Sequence, residues 1–124
     1  MKLVKPTAAE RELPRGVVGG MEVSRASTGA SSIFLGRVRV PAAAESRPHY
    51  HPKAESALYM LSGRMEVRYG DGFEQSLMVE PGDMLYVPPN ETHLLRNPSE
   101  AEPAEYVVAR DSATDDSVEV PWSG

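Results

Sequence analysis

From Ser32 onward, hydrophobic and polar positions mostly alternate along the chain. In SIFLGRVRV (32–40), Phe34, Val38 and Val40 alternate with Arg37 and Arg39. In RMEVRYG (64–70), Met65, Val67 and Tyr69 share one parity, and Arg64, Glu66 and Arg68 the other. Successive side chains of a strand point to opposite faces, so this period of two predicts half-buried strands. SALYMLSG (56–63) and DMLYVPP (83–89) are continuous apolar runs ended by turn residues, and AEYVVAR (104–110) is similar. These three runs predict strands buried on both sides.

Turn residues separate the runs at short intervals: Ser62-Gly63, Gly70-Asp71-Gly72, Pro81-Gly82-Asp83 and Pro88-Pro89-Asn90. Glycine accepts the positive φ of tight hairpins, so Gly-Asp-Gly is expected to join a strand over Met65–Tyr69 to one over Phe73–Val79. No segment shows a helical stripe with caps at both ends. Many short strands at regular spacing predict an all-β sandwich or barrel. Residues 1–31 are expected to form an N-terminal arm with edge strands, and 32–110 the barrel domain. Residues 111–124 form an acidic C-terminal tail, whose SVEV is a candidate edge strand and whose Trp122 packs back or onto a partner.

Composition narrows the function classes. A chain of 124 residues suits one domain with one core. Its net charge of −5 argues against a nucleic-acid partner, because phosphate binding uses clustered Lys and Arg. With no cysteine, disulfides and thiolate metal sites are excluded, and nothing points to an oxidising compartment. The N-terminal stretch carries charges throughout, and the longest apolar run, Ala57 to Leu61, is far too short to cross a bilayer. A cytoplasmic protein without membrane contact is expected.

The three histidines carry the candidate chemistry. His49 and His51 stand two apart, so a strand aims both imidazoles the same way, while His93 follows the turn after another strand. Imidazole nitrogens ligate Zn, Fe, Ni or Cu, and a barrel can bring distant strands together to complete a shell. The alternative for such residues is a hydrogen-bonded core or surface histidine.

Two motifs in order sharpen this reading. Gly82-DMLYV-Pro88-Pro89-Asn90-ET-His93-LLR-Asn97 is similar to the second motif of the cupin superfamily, with Asn90 in place of a glycine. Asparagine is well suited to replace glycine at positive φ. Ala43-AESRP-His49-Tyr50-His51-PKA-Glu55-SALYMLS-Gly63 resembles the first motif, with Ala43 in place of the leading glycine. The resemblance covers Ala43 to Asn97 and implies a double-stranded β-helix, a jelly roll around an interior pocket. It also implies a divalent transition metal (Fe, Mn, Ni, Co, Cu or Zn) on His49, His51 and His93, with Glu55 as the carboxylate ligand.

Glu55 lies one residue early in that motif. In a regular strand Ser56 would face the pocket and Glu55 the other side, whereas a bulge or turn after Pro52 would re-aim Glu55 inward. Leu58 and Met60 share the parity of Ser56 and are candidates for the pocket lining. Tyr59 and Tyr86 are candidate catalytic hydroxyls, with ordinary packing as the alternative. Arg37 is a candidate anchor for a carboxylate or phosphate, or else an outward-facing strand arginine. The resemblance implies a metal-dependent enzyme acting on a small oxygenated or carboxylated metabolite, of isomerase, dioxygenase, lyase or decarboxylase type. A noncatalytic binding or sensing cupin is the alternative. Cupins also commonly pair, so a homodimer is expected.

Overall fold

The computed structural model describes residues 1–6, 10–13 and 16–121, so Trp122 lies outside the described residues. In chain order the elements are β1 (Arg11–Glu12), β2 (Val18–Val23), the one-turn helix α1 (Arg25–Thr28), β3 (Phe34–Val40), β4 (His49–Tyr50), β5 (Ser56–Ser62), β6 (Met65–Tyr69), a 3-10 turn (Asp71–Phe73), β7 (Gln75–Val79), β8 (Met84–Val87), β9 (His93–Arg96), β10 (Ala104–Arg110) and β11 (Val118–Glu119). They form two antiparallel sheets. One runs β1-β2-β3-β10-β5-β8 and the other β11-β4-β9-β6-β7. From β3 onward the chain passes back and forth between the sheets, and the β6–β7 hairpin is its only stay on one of them. The fold is all-β, as the alternation predicts, and is the double-stranded β-helix that the motif resemblance implies.

The inner face of each strand follows the period of two. In β5 Ser56, Leu58 and Met60 are buried while Ala57 and Tyr59 are exposed. In β10 Ala104, Tyr106, Val108 and Arg110 are buried, and in β6 Met65 and Val67 are. Met60, Met65, Val40 and Val108 lie within 1% of full burial in one continuous core with Leu58, Val67, Val87 and Leu95. Cross-strand register sorts the barrel end to end. Val40 pairs with Ala104 near the apolar end. At the other end Arg110 pairs with both Phe34 and Ser56, and Ser56 with Val87.

Two-sided burial of the apolar runs does not hold. On the outer face of the six-stranded sheet, Tyr59 (43%), Leu61 (38%), Met84 (80%) and Tyr86 (60%) are exposed. An outer strand face is buried only when another layer covers it. Among the described residues, Lys2, Leu3 and Val4 approach this face around Leu35, Leu61 and Val107, Glu10 reaches Arg39 and Glu55 reaches Tyr86. The β6–β7 connection is also longer than expected. Gly70 to Glu74 form the turn, Phe73 takes φ 56° and is buried, and β7 therefore begins at Gln75.

Two motif positions have clear backbone reasons. Asn90 adopts φ 64°, as a glycine substitute must, and its N–H donates to the His51 carbonyl (3.0 Å), joining the two motifs. Gly63 has φ 72°, and a Cβ there would lie 2.7 Å from the Pro103 carbonyl oxygen. Only glycine fits both conditions.

Candidate metal centre

His49 sits on β4 directly opposite His93 on β9. Their ring centroids are 4.5 Å apart, His51 lies 5.1 Å from His49 and 5.8 Å from His93, and all three residues are buried. One ring nitrogen from each lies within 4.8 Å of the others.

The hydrogen bonds identify that nitrogen. Nδ1 of His49 is 2.7 Å from the Arg47 carbonyl, Nδ1 of His51 is 2.9 Å from the Asp116 carbonyl, and Nδ1 of His93 is 2.8 Å from the Glu91 carbonyl. A carbonyl oxygen only accepts, so each Nδ1 carries the proton and donates it. In the neutral ring this leaves the lone pair on Nε2. Two of the carbonyls come from the residue two positions before the histidine, so β4 and β9 orient their own ligands. The third comes from the C-terminal segment.

Three imidazoles locked in one tautomer can hold a metal ion, because a fixed Nδ1–H bond presets ring orientation and strengthens the donor. The donor set is neutral nitrogen throughout, which fits a first-row transition metal better than Ca or Mg. His49, His51, His93, Ser56, Leu58, Leu85, Val87, Leu95, Tyr106, Val108 and Arg110 line a cavity of about 20 Å³. That volume takes an ion or a water, not a metabolite.

Glu55 does not join the triad. A turn does occur after Pro52, with Lys53 at φ 65°, but it buries the methyl group of Ala54 and leaves Glu55 exposed. The Glu55 N–H donates to Asp111 Oδ1 (2.9 Å), and its carboxylate accepts from the Tyr86 hydroxyl (2.7 Å). Ser56, at the first position of the regular strand β5, faces the cavity instead.

The two tyrosines also leave the cavity. Tyr59 and Tyr86 occupy the exposed parity of their strands because Leu58, Leu85 and Val87 take the inner one. The hydrogen bond to Glu55 raises Tyr86 above the usual tyrosine range, which does not suit a proton donor at neutral pH. Arg37 lies on the outer face, paired with Glu105 through Nε at 3.0 Å. Met60 is core, while Leu58 lines the cavity as its parity indicated.

Arg110 and Tyr106 line the cavity and were not singled out from sequence. Their signal was the strict burial alternation of Ala104, Tyr106, Val108 and Arg110, hidden by the apolar outer residues Val107 and Ala109. The Arg110 guanidinium donates from Nε to Ser56 Oγ (3.0 Å) and from Nη1 to Asp115 Oδ1 (2.8 Å), and lies 5.2 Å over the Phe34 ring. Its side chain is 4% exposed and that of Asp115 12%. The segment after β10 thus straps the site: Ala113 accepts from the Arg25 N–H, Asp115 pairs with Arg110, Asp116 holds His51, and β11 pairs with β4.

The cupin-domain family matches residues 36–110, more than half of the chain. The chain belongs to the cupin family. This cupin is 30% identical over 71 residues to the tetracenomycin polyketide synthase protein TcmJ of Streptomyces glaucescens, a match covering 57% of this chain and 46% of that protein. The chain thus matches about half the length of that curated relative. Among solved structures it is similar to the polyketide cyclase RemF from Streptomyces resistomycificus (TM-score 0.80, 20% identity, 99% of this chain and 87% of that one). It is also similar to an oxalate oxidase in complex with the substrate analogue glycolate (TM-score 0.78, 22% identity, 97% of this chain and 63% of that one). An oxalate decarboxylase from Bacillus subtilis follows the same pattern (TM-score 0.74, 20% identity, 90% and 30%). These structural likenesses show the fold.

Proposed function

We propose that this cupin is a metal-dependent enzyme acting on a small oxygenated or carboxylated metabolite, by chemistry of the isomerase, dioxygenase, lyase or decarboxylase type. The observation that carries the proposal is the common tautomer: three Nδ1–H groups are tied to main-chain carbonyls, so three Nε2 lone pairs face one buried cavity. His49, His51 and His93 would hold the ion, which we take to be Fe, Mn, Ni, Co, Cu or Zn. When bound, such an ion supplies Lewis-acid activation of an oxygen ligand in positions the protein leaves open.

The chain's own groups do the rest. Leu58, Leu85, Val87 and Leu95 give the cavity an apolar wall. Ser56 and Arg110 place a hydroxyl and a buried cation in the same wall. With Glu55 outside, a divalent ion on three neutral rings would keep its full charge, which favours an anionic oxygen as the fourth ligand. Relatives described as a polyketide cyclase and as oxalate enzymes support a substrate rich in oxygen. We further propose a cytoplasmic homodimer, its second copy covering the apolar outer face around Tyr59, Leu61 and Met84.

Elemental analysis of protein purified without a histidine tag tests the reading. About one equivalent of a first-row metal per chain is expected, with turnover of an oxygenated substrate in screening of the loaded protein. Failure to take up any of the six metals at neutral pH would sink the metal reading and leave a noncatalytic binding cupin. Uptake without turnover of any substrate would favour a sensing role.

A further inference from the structure

The cavity around the triad holds an ion and little else, so the body of any substrate must lie outside it. The barrel is open on one side. β7 is the edge of the five-stranded sheet and β8 the edge of the six-stranded sheet. Cross-strand partners share a face, and Leu77 pairs with the core residue Val67, so Leu77 belongs to the inner face. It is nevertheless 43% exposed. Leu85, the partner of buried Leu58, is only half-buried. Interior-facing leucines that meet solvent mark a gap between the two strand edges.

That gap is a cleft of about 230 Å³ lined by Val67, Tyr69, Leu77, Leu85, Tyr86, Val87, Pro88, Glu91 and His93. Leu85, Val87 and His93 are also walls of the triad cavity. A ligand in the cleft therefore has its inner end at His93. The lining is mainly apolar, and besides His93 its one ionisable acid or base of ordinary charge at neutral pH is Glu91, an anion. The volume falls below the roughly 300 Å³ at which sites for drug-sized ligands begin.

We propose that the β7–β8 gap is the substrate cleft. Its substrate carries a neutral, apolar body of one or two rings in contact with Leu77, Tyr69 and Pro88, and an oxygen-bearing end that reaches His93. This rests on the metal-dependent reading and specifies its substrate class. Glu91 at the cleft disfavours small dianions such as free dicarboxylates, since a like charge in a partly desolvated site is repulsive. The oxygen-bearing end points inward, to His93 at the boundary of the two cavities, and the rings lie outside.

Calorimetric titration of 1-naphthol and of oxalate into metal-free and zinc-loaded protein tests the cleft. 1-Naphthol should bind both forms, and Leu77→Asp or Leu77→Trp should each weaken it about tenfold, the scale of lost apolar contact in a pocket. Glu91→Gln should strengthen oxalate binding to the zinc-loaded protein severalfold. Leu77→Gln serves if the aspartate variant loses its strand circular dichroism. No 1-naphthol binding, or binding that the Leu77 variants leave unchanged, overturns the cleft; unchanged oxalate affinity in Glu91→Gln overturns the charge selection. Failure to load zinc would appear separately, as a loss of the metal reading with naphthol binding intact.

Discussion

His51 donates its Nδ1 hydrogen to the main-chain carbonyl of Asp116, 2.9 Å away and beyond the end of the last long strand. A ligand from the first motif is thus oriented by the C-terminal tail. The next residue toward the barrel, Asp115, is held by the buried guanidinium of Arg110.

Asp115→Ala should therefore damage both stability and the site. Removing one partner of a buried pair strands the other charge, at about 3–5 kcal/mol. Losing a group that orients a ligand typically costs about 10–100-fold in metal affinity. Urea unfolding and zinc competition with a chelator measure the two effects. Unchanged zinc affinity would show that the strap does not orient His51.

His49→Ala and His93→Ala should each abolish stoichiometric metal binding while keeping the strand circular dichroism, because a three-histidine shell has no spare donor. Glu55→Gln should leave metal affinity within about twofold, as an exposed carboxylate outside the site is screened by solvent. A large loss in Glu55→Gln would show a carboxylate reaching the ion.

Glu55→Gln also has an optical consequence. The carboxylate accepts the Tyr86 hydrogen and so holds the phenol protonated above its usual range. Replacing it by an amide removes the charge that opposes ionisation, and Tyr86 should then titrate at lower pH, toward about 10. Near-ultraviolet absorbance across alkaline pH follows it, with Tyr86→Phe identifying the affected tyrosine. An unchanged titration curve would count against the bond.

Backbone strain predicts two stability changes of opposite sign. Ala43 adopts φ 59° where the motif carries glycine. Ala43→Gly should relieve the left-handed strain and raise stability by about 0.5–1 kcal/mol. Gly63→Ala should lower it by more than about 2 kcal/mol, since its Cβ would meet the Pro103 carbonyl at 2.7 Å in a positive-φ turn. Thermal unfolding of both variants checks the pair.

Local pattern was enough for much of the protein. Alternation in 64–70 marks a strand because side-chain direction repeats every two residues regardless of what lies across the sheet. His49 and His51 share a face for the same reason, while the positive φ of Asn90 was legible through the motif in which it replaces a glycine. The facing of Glu55 was not determined in this way: a single residue of turn after Pro52 decides parity, and that turn buries Ala54. Nor was the inward face of AEYVVAR, where apolar residues stand on both parities and only pairing with Phe34 and Ser56 turns Arg110 to the cavity. The tail holds few core residues, and its pattern marked only a candidate edge strand. It contributes through a carbonyl and a carboxylate, and groups of that kind acquire a role only when the folded chain sets them against His51 and Arg110.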